Sequence, residues 1–235
     1  MVELPSAFAV SSAEDFAACG VALLTGLGAV DVLCFGSEDG DIRRIRTAAG
    51  ILAKEGGDFS SLLSIGLRSG LSWPQARSQA LLKMADKDKD FPLKREEMDK
   101  LLGSPNNLLG IEYCKAILRQ GSSLVPVPVQ RTGAQHGQQT PGEEGFASAS
   151  YLRGLWRRQG VQALAPYVPA AALERYQKAA AQGQDLDGRA FSVAVLSRLR
   201  AMDPARLAAA RGAAEGLEHR LAAAVRCAPD LESLY

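Results

Sequence analysis

Val30-Asp31-Val32-Leu33-Cys34-Phe35 is an almost unbroken apolar run, and Gly36-Ser37-Glu38-Asp39-Gly40 follows it directly. A run of this length and kind predicts a strand buried on both faces, as in a parallel sheet. Upstream, Ser11, Ser12 and then Glu14-Asp15 make an acidic helix entry. Phe16, Gly20, Leu23, Leu24 and Leu27 follow at helical spacing, and Gly28 ends that helix. Downstream, the five-residue turn leads into a second helix, Ile42 to Lys54. Helix, strand, loop and helix in this order predict an α/β sheet with crossover helices.

Further along, Phe59 to Leu102 reads as helical and local, with Ser72-Trp73-Pro74 as a helix start. Lys83 to Lys100 balances six basic against six acidic residues and contains Phe91-Pro92, which reads as a solvated helix end and linker without chemistry. Ser104-Pro105-Asn106-Asn107 is expected to cap a helix whose apolar stripe is Leu108, Leu109, Ile111, Cys114, Ile117 and Leu118. Ser122 to Arg131 reads as a strand, and Pro126 and Pro128 confine it to a sheet edge or a one-sided ladder. Thr132 to Gly145 is a Gly/Gln-rich loop, Ser148 to Gln159 a helix, and the remainder a series of Ala/Leu/Arg helices. The expected division is therefore 1–159, an α/β unit, and 160–235, an all-helical one.

The chain has 235 residues, 47% hydrophobic and 23% charged, with a formal net charge of +1. That hydrophobic share supports a packed core and excludes a wholly disordered chain, while the small net charge argues against a strongly basic nucleic-acid coat. The charge is uneven, however. Residues 147–235 hold 12 Arg/Lys against 8 Asp/Glu, and residues 1–146 hold 15 against 18. Eleven of those twelve cations are arginine, which suits phosphate contact, although a genomic bias toward Arg and Ala gives the same composition. Cys19, Cys34, Cys114 and Cys227 form no Cys-x-x-Cys pair and sit in apolar patterns, the usage of a reduced cytoplasmic setting. The longest uncharged stretch, Phe16 to Val30, falls short of the roughly 20 residues a membrane helix requires. No secretory signal is visible at the N-terminus.

Four places could carry chemistry. Gly36 ends a strand where open α/β sheets bind ligands, and its amide could face a nucleotide; an ordinary turn glycine has the same spacing. In Asn106-Asn107, one asparagine can cap the helix while the other presents an amide to a base or ribose edge. Gln130-Arg131-Thr132 places an arginine at a strand end, able to clamp phosphate, ahead of a loop holding His136. Ser148-Ala149-Ser150-Tyr151-Leu152-Arg153 offers two hydroxyls at a helix start and an arginine one turn on, either an anion site or a plain N-cap. No zinc, P-loop or Ser-His-Asp pattern is present.

Taken together these segments resemble the tRNA(Met) cytidine acetate ligase family of the nucleotidyltransferase superfamily. The likeness is carried by Val2-Glu3-Leu4-Pro5, Ser12-Ala13-Glu14, Cys34-Phe35-Gly36-Ser37-Glu38, Asn106-Asn107-Leu108-Leu109-Gly110-Ile111-Glu112-Tyr113, Pro128-Val129-Gln130-Arg131 and Gly216-Leu217-Glu218-His219-Arg220-Leu221. The resemblance implies an incomplete Rossmann-like nucleotidyltransferase domain over 1–159 and an all-helical, tRNA-contacting C-terminal domain over 160–235. The implied activity uses ATP, with Mg2+, to activate acetate as acetyl-adenylate and to acetylate N4 of the wobble cytidine of elongator tRNA(Met). On the same resemblance, Gly36, Asn106, Arg131 and Thr132 meet ATP, and Ser148, Ser150 and Arg153 clamp its phosphates. Arg198, Arg200, Arg206 and Arg211 are the candidate tRNA contacts.

The family's opening His-x-Gly-His motif has no counterpart here, where the histidines are His136 and His219. Neither end carries a convincing cap or tail, so the expectation is a segment of a longer enzyme, inactive alone. Two other readings share the residues: a nucleotidyltransferase acting on a small acceptor, and a non-catalytic RNA-binding remnant using the arginine-rich half.

Overall fold

The computed structural model describes residues 2–54, 56–87, 91–131, 146–184, 188–210 and 216–234. The chain divides into two compact units, Met1–Phe146 and Ala147–Tyr235. The division falls before Ser148–Gln159 rather than after it, because that helix packs against the short 3-10 turn Val161–Leu164.

In the first unit the order is α1 (Ser6–Ala9), α2 (Ala13–Gly26), β1 (Val32–Ser37), α3 (Ile42–Lys54), α4 (Gly57–Arg68), α5 (Trp73–Lys87), α6 (Arg95–Leu102), α7 (Pro105–Gln120) and β2 (Val125–Gln130). Ser12 starts α2 by accepting from the Asp15 amide, with Glu14 and Asp15 in the first turn as expected. Behind Pro5, Ser6–Ala9 makes a single helical turn.

β1 and β2 pair in parallel, Val32 with Val125 through to Ser37 with Gln130. Leu33, Phe35 and Ser37 point inward, and the core lies beneath them, where Phe35, Ile45, Ala48, Leu52, Leu81, Leu101, Ile111 and Cys114 cluster. Burial pushes the Cys114 thiol up to about 12. A smaller cluster of Val21, Ala116, Ile117 and Leu124 joins α2, α7 and the approach to β2.

The expectation that β1 is buried on both faces is corrected. Val32, Val125, Val127 and Val129 are 38–54% exposed, and Cys34 is exposed beside them. Among the described residues, helices cover one face of the two-stranded sheet only, so the outward alternation meets solvent. The expectation for β2 holds in a specific way. The amides of Val125 and Arg131 donate to Asp31 and Ser37 oxygens of the β1 segment at 2.8 and 2.9 Å. Odd positions of β2 therefore serve the ladder, and the nitrogens of Pro126 and Pro128 face away from β1, where no donor is needed.

The charge-balanced Lys83–Lys100 stretch is also corrected. It contains part of α5 and most of α6, whose Met98 and Leu101 are fully buried, with Leu93 nearly so. Three apolar residues on one side of a charged segment suffice to dock it on the core.

In the second unit, α8 (Ala149–Gln159) is followed by α9 (Ala170–Ala181), α10 (Gly188–Arg200), α11 (Pro204–Ala208) and α12 (Leu217–Cys227). Leu196, Val225 and Ala228 form its buried centre, flanked by Leu199, Leu221, Leu231 and Leu234.

Candidate functional site

The carboxyl ends of β1 and β2 bring together three of the expected residues. Because odd positions of β1 are bonded to β2, alternation turns the amides of Val32, Cys34 and Gly36 toward the sheet's open edge. The Gly36 N–H is thus not consumed by the ladder, and the residue is exposed. The Arg131 side chain lies across it: a Cβ built on Gly36 would sit 3.5 Å from Arg131 Cγ and 3.8 Å from Nη1. Both follow from the ladder register, which sets Arg131 one residue beyond the Ser37–Gln130 pair.

Asn106 and Asn107 reach the same rim from the start of α7. Asn107 is buried, and its Oδ1 accepts from Ser37 Oγ at 2.7 Å and the Asp39 amide at 3.1 Å. Ser37 Oγ in turn accepts from the Gly40 amide at 2.9 Å, in a turn that Gly40 closes with φ near +73°. Asn106 Nδ2 donates to Glu38 Oε1 at 2.6 Å, while Glu38 Oε2 accepts from the Asn107 amide at 3.1 Å. The capping expectation is corrected: neither asparagine side chain nor Ser104 caps α7, and a carboxylate from the β1 loop does so. Asn107 is the staple of the turn, and Asn106 is the half-buried one at the rim. Ser37 and Glu38, which organise it, carry no role in the sequence pattern alone; polar residues directly after a buried strand were the available signal.

The remaining expected residues are not part of this rim as described. Thr132, His136 and Arg211 lie outside the described residues. Ser148, Ser150 and Arg153 belong to the second unit, at the start of α8. There Ser148 Oγ accepts from the Tyr151 amide at 3.1 Å, and Arg153 Nη2 donates to Ser150 Oγ at 3.3 Å. Arg198 and Arg206 are exposed. Arg200 is engaged within its own unit. Its Nε and Nη2 donate to the Val225 and Ala228 carbonyls at 2.9 and 2.7 Å, closing the end of α12.

A charged cluster between α2, α5 and α7 is invisible in the sequence pattern. Arg77, Glu112 and Lys115 are 8%, 2% and 3% exposed. Arg77 Nη1 meets Glu112 Oε1 at 2.5 Å, and Lys115 Nζ meets Glu112 Oε2 at 2.6 Å and Glu14 Oε1 at 2.9 Å. Arg119 adds a contact to Glu14 Oε1 at 3.0 Å. Partial burial alone would raise the Glu14 carboxyl. The Lys115 hydrogen bond and charge, with Arg119 and Arg77, outweigh it and hold it below its ordinary value of 4.5. A carboxyl depressed in the folded state stabilises above its unfolded value and loses that contribution as pH falls through the folded one. The melting temperature should therefore drop as pH is lowered below about 4.5, and Glu14→Gln should flatten that part of the profile. Parallel acid profiles for the two chains would refute the assignment.

Among the described residues no group of three or more His, Cys, Asp or Glu is placed to hold a metal ion, and no helix is long and apolar enough to cross a membrane.

A parallel α/β sheet with its glycine–arginine rim, followed by a helical unit, is compatible with a nucleotidyltransferase fold. Comparison with known proteins makes this specific. The family model described as HIGH Nucleotidyl Transferase matches residues 1–235, and the chain belongs to that family. A tRNA(Met) cytidine acetate ligase of Caldanaerobacter subterraneus subsp. tengcongensis is 34% identical over 236 residues, covering 100% of this chain and 56% of the relative. One from Clostridium perfringens is 42% identical over 153 residues, 65% of this chain and 38% of the relative. The crystal structure of apo Thermotoga maritima TmcAL superposes with a TM-score of 0.89 at 27% identity, over 99% of this chain and 54% of that one. The same protein bound with alpha-thio ATP gives 0.86, over 99% and 53%. The resemblance read from the sequence is thereby borne out, and the chain spans about half the length of these relatives.

Proposed function

We propose that this chain is the nucleotide-binding and RNA-contacting portion of an ATP-dependent ligase that acetylates a cytidine of tRNA(Met). The observation that carries the reading is the open Gly36 amide beneath Arg131, with Asn106 held beside them by Glu38. An unspent amide, a guanidinium and a carboxamide at the carboxyl end of a parallel sheet suit a nucleoside triphosphate. The alpha-thio ATP bound by the Thermotoga maritima protein supports the same choice.

In the proposed reaction an acetate oxygen attacks the α-phosphorus of ATP, with Mg2+ on its phosphates, and pyrophosphate leaves. N4 of the wobble cytidine of elongator tRNA(Met) then attacks the acetyl carbonyl, AMP leaves, and N4 gives up a proton. In this reading the first unit supplies Gly36, Asn106 and Arg131, followed by Thr132, for ATP, and Ser148, Ser150 and Arg153 form an anion-binding start of α8 within the second unit. Arg198, Arg200, Arg206 and Arg211 are the proposed tRNA contacts of residues 160–235, with Arg200 also donating to the Val225 and Ala228 carbonyls. A tRNA substrate fits a cytoplasmic setting.

ATP binding by the purified chain, measured calorimetrically, tests the rim. Arg131→Ala should weaken it about 10- to 100-fold, the worth of one charge-assisted phosphate contact. No ATP binding by the folded chain, or no effect of Arg131→Ala, would overturn the assignment. The chain alone should show no acetate-dependent ATP–pyrophosphate exchange, since it carries no His-x-Gly-His motif to stabilise the α-phosphate transition state. Robust exchange would show that these histidines are dispensable.

A further inference from the structure

A cavity of about 440 Å³ opens between the first turns of α2 and α5 and the side of α7, within the size range of small-molecule sites. Its wall includes Glu14, Trp73, Arg77, Ser78 and Glu112. Leu108, which also lines it, and Glu112 lie four apart on one face of α7, the helix whose first turn carries Asn106.

The wall groups have unspent capacity. Glu14 Oε1 takes both Lys115 and Arg119, leaving Oε2 without a protein donor among the described residues. Arg77 commits Nη1 to Glu112; its Nε and Nη2 have no protein acceptor among the described residues, although the side chain is nine-tenths buried. Trp73 as a residue is 45% exposed, and its ring carries the Arg77 guanidinium 5.3 Å from the centroid. An aromatic face beside one open carboxylate oxygen and open guanidinium donors matches a planar ring whose edge has one amino donor next to acceptors.

Cytosine has that edge. Its N4 amine can donate to a carboxylate, and N3 and O2 can accept from an arginine, whereas uracil puts the O4 acceptor where cytosine has its amine. We propose that this cavity receives the cytosine ring, stacked on Trp73, with Glu14 taking N4–H and Arg77 donating to N3 and O2. The inference rests on the cytidine-ligase reading above and adds the place where the acceptor base is recognised.

The test uses the whole chain carrying Trp156→Phe, so that Trp73 is the remaining tryptophan. Cytidine should quench Trp73 fluorescence saturably at about millimolar concentration, the range for one stacked base with a few polar contacts. Uridine should bind at least about tenfold more weakly. Ser78→Phe, which fills the cavity from its rim, should abolish the response while the circular dichroism melt confirms folding. Saturating ATP should leave the response in place. Equal response to cytidine and uridine, no response from the folded chain, or displacement by ATP would each overturn the proposal. The ATP titration with Arg131→Ala is read separately. ATP binding with no cytidine selectivity sinks only the cavity assignment, and cytidine selectivity without ATP binding sinks the nucleotide rim.

Discussion

Glu112→Ala is expected to lower the unfolding free energy by about 3–5 kcal/mol, because it strands two buried cations. The two oxygens of Glu112 hold Arg77 and Lys115 at 2.5 and 2.6 Å, and all three side chains are at least nine-tenths buried. Removing the anion leaves Arg77 and Lys115 desolvated with Glu14 as the one carboxylate near them among the described residues, itself already shared with Arg119. Urea unfolding followed by circular dichroism measures the difference. A loss under about 1 kcal/mol would mean that the cluster is effectively solvated. The contrast is a combined Arg77→Met, Glu112→Leu, Lys115→Met chain. A full apolar replacement of a buried ion cluster is often neutral or stabilising, so this triple variant should unfold near the parent midpoint.

Gly110→Ala and Gly50→Ala should move stability in opposite directions. A Cβ on Gly110 would lie 2.5 Å from Phe35 Cε2 and 3.2 Å from Cζ. That ring is buried, with Tyr113 packed at 5.7 Å on another side, so it cannot swing aside freely. Forcing α7 off β1 costs about 1–3 kcal/mol, against about 1 kcal/mol gained in helix propensity. Gly50, in the middle of α3, meets nothing within 4 Å of its Cβ position, so Gly50→Ala keeps the propensity gain of about 0.5–1 kcal/mol. The two midpoints should fall on either side of the parent. If Gly110→Ala also stabilises, the close approach of α7 to the strand is wrong.

The sequence was most legible where one physical cause dominates. The apolar run into Gly36, the helix from Pro105 and the two-proline strand each have a single strong determinant, and all three stand in the structure. It was less legible where charge hides burial. Glu112 and Lys115 lie three apart on a helix, which reads as a surface pair; only the approach of Glu14 and Arg77 from other segments makes them interior. The same holds for α6, whose Met98 and Leu101 were masked by a balanced charge run. At the rim, Gly36 and Arg131 were found as separate strand ends, but their stacking depends on the register, which pattern alone does not give. The two bonds of Arg200 were not legible for the converse reason: nothing in a basic helix signals carbonyl partners that come from a later segment.

The positions of Pro126 and Pro128 give the sheet a direction of growth. On the outer margin of β2 both lack the hydrogen that an added backbone would have to accept. The margin of β1 keeps its full set at Val32, Cys34 and Gly36. Any strand that enlarges this sheet, from whatever source, is therefore steered to the β1 side, where its last rung would fall beside the Gly36 amide. Recruitment of further backbone and the geometry of the nucleotide rim are coupled through that one residue.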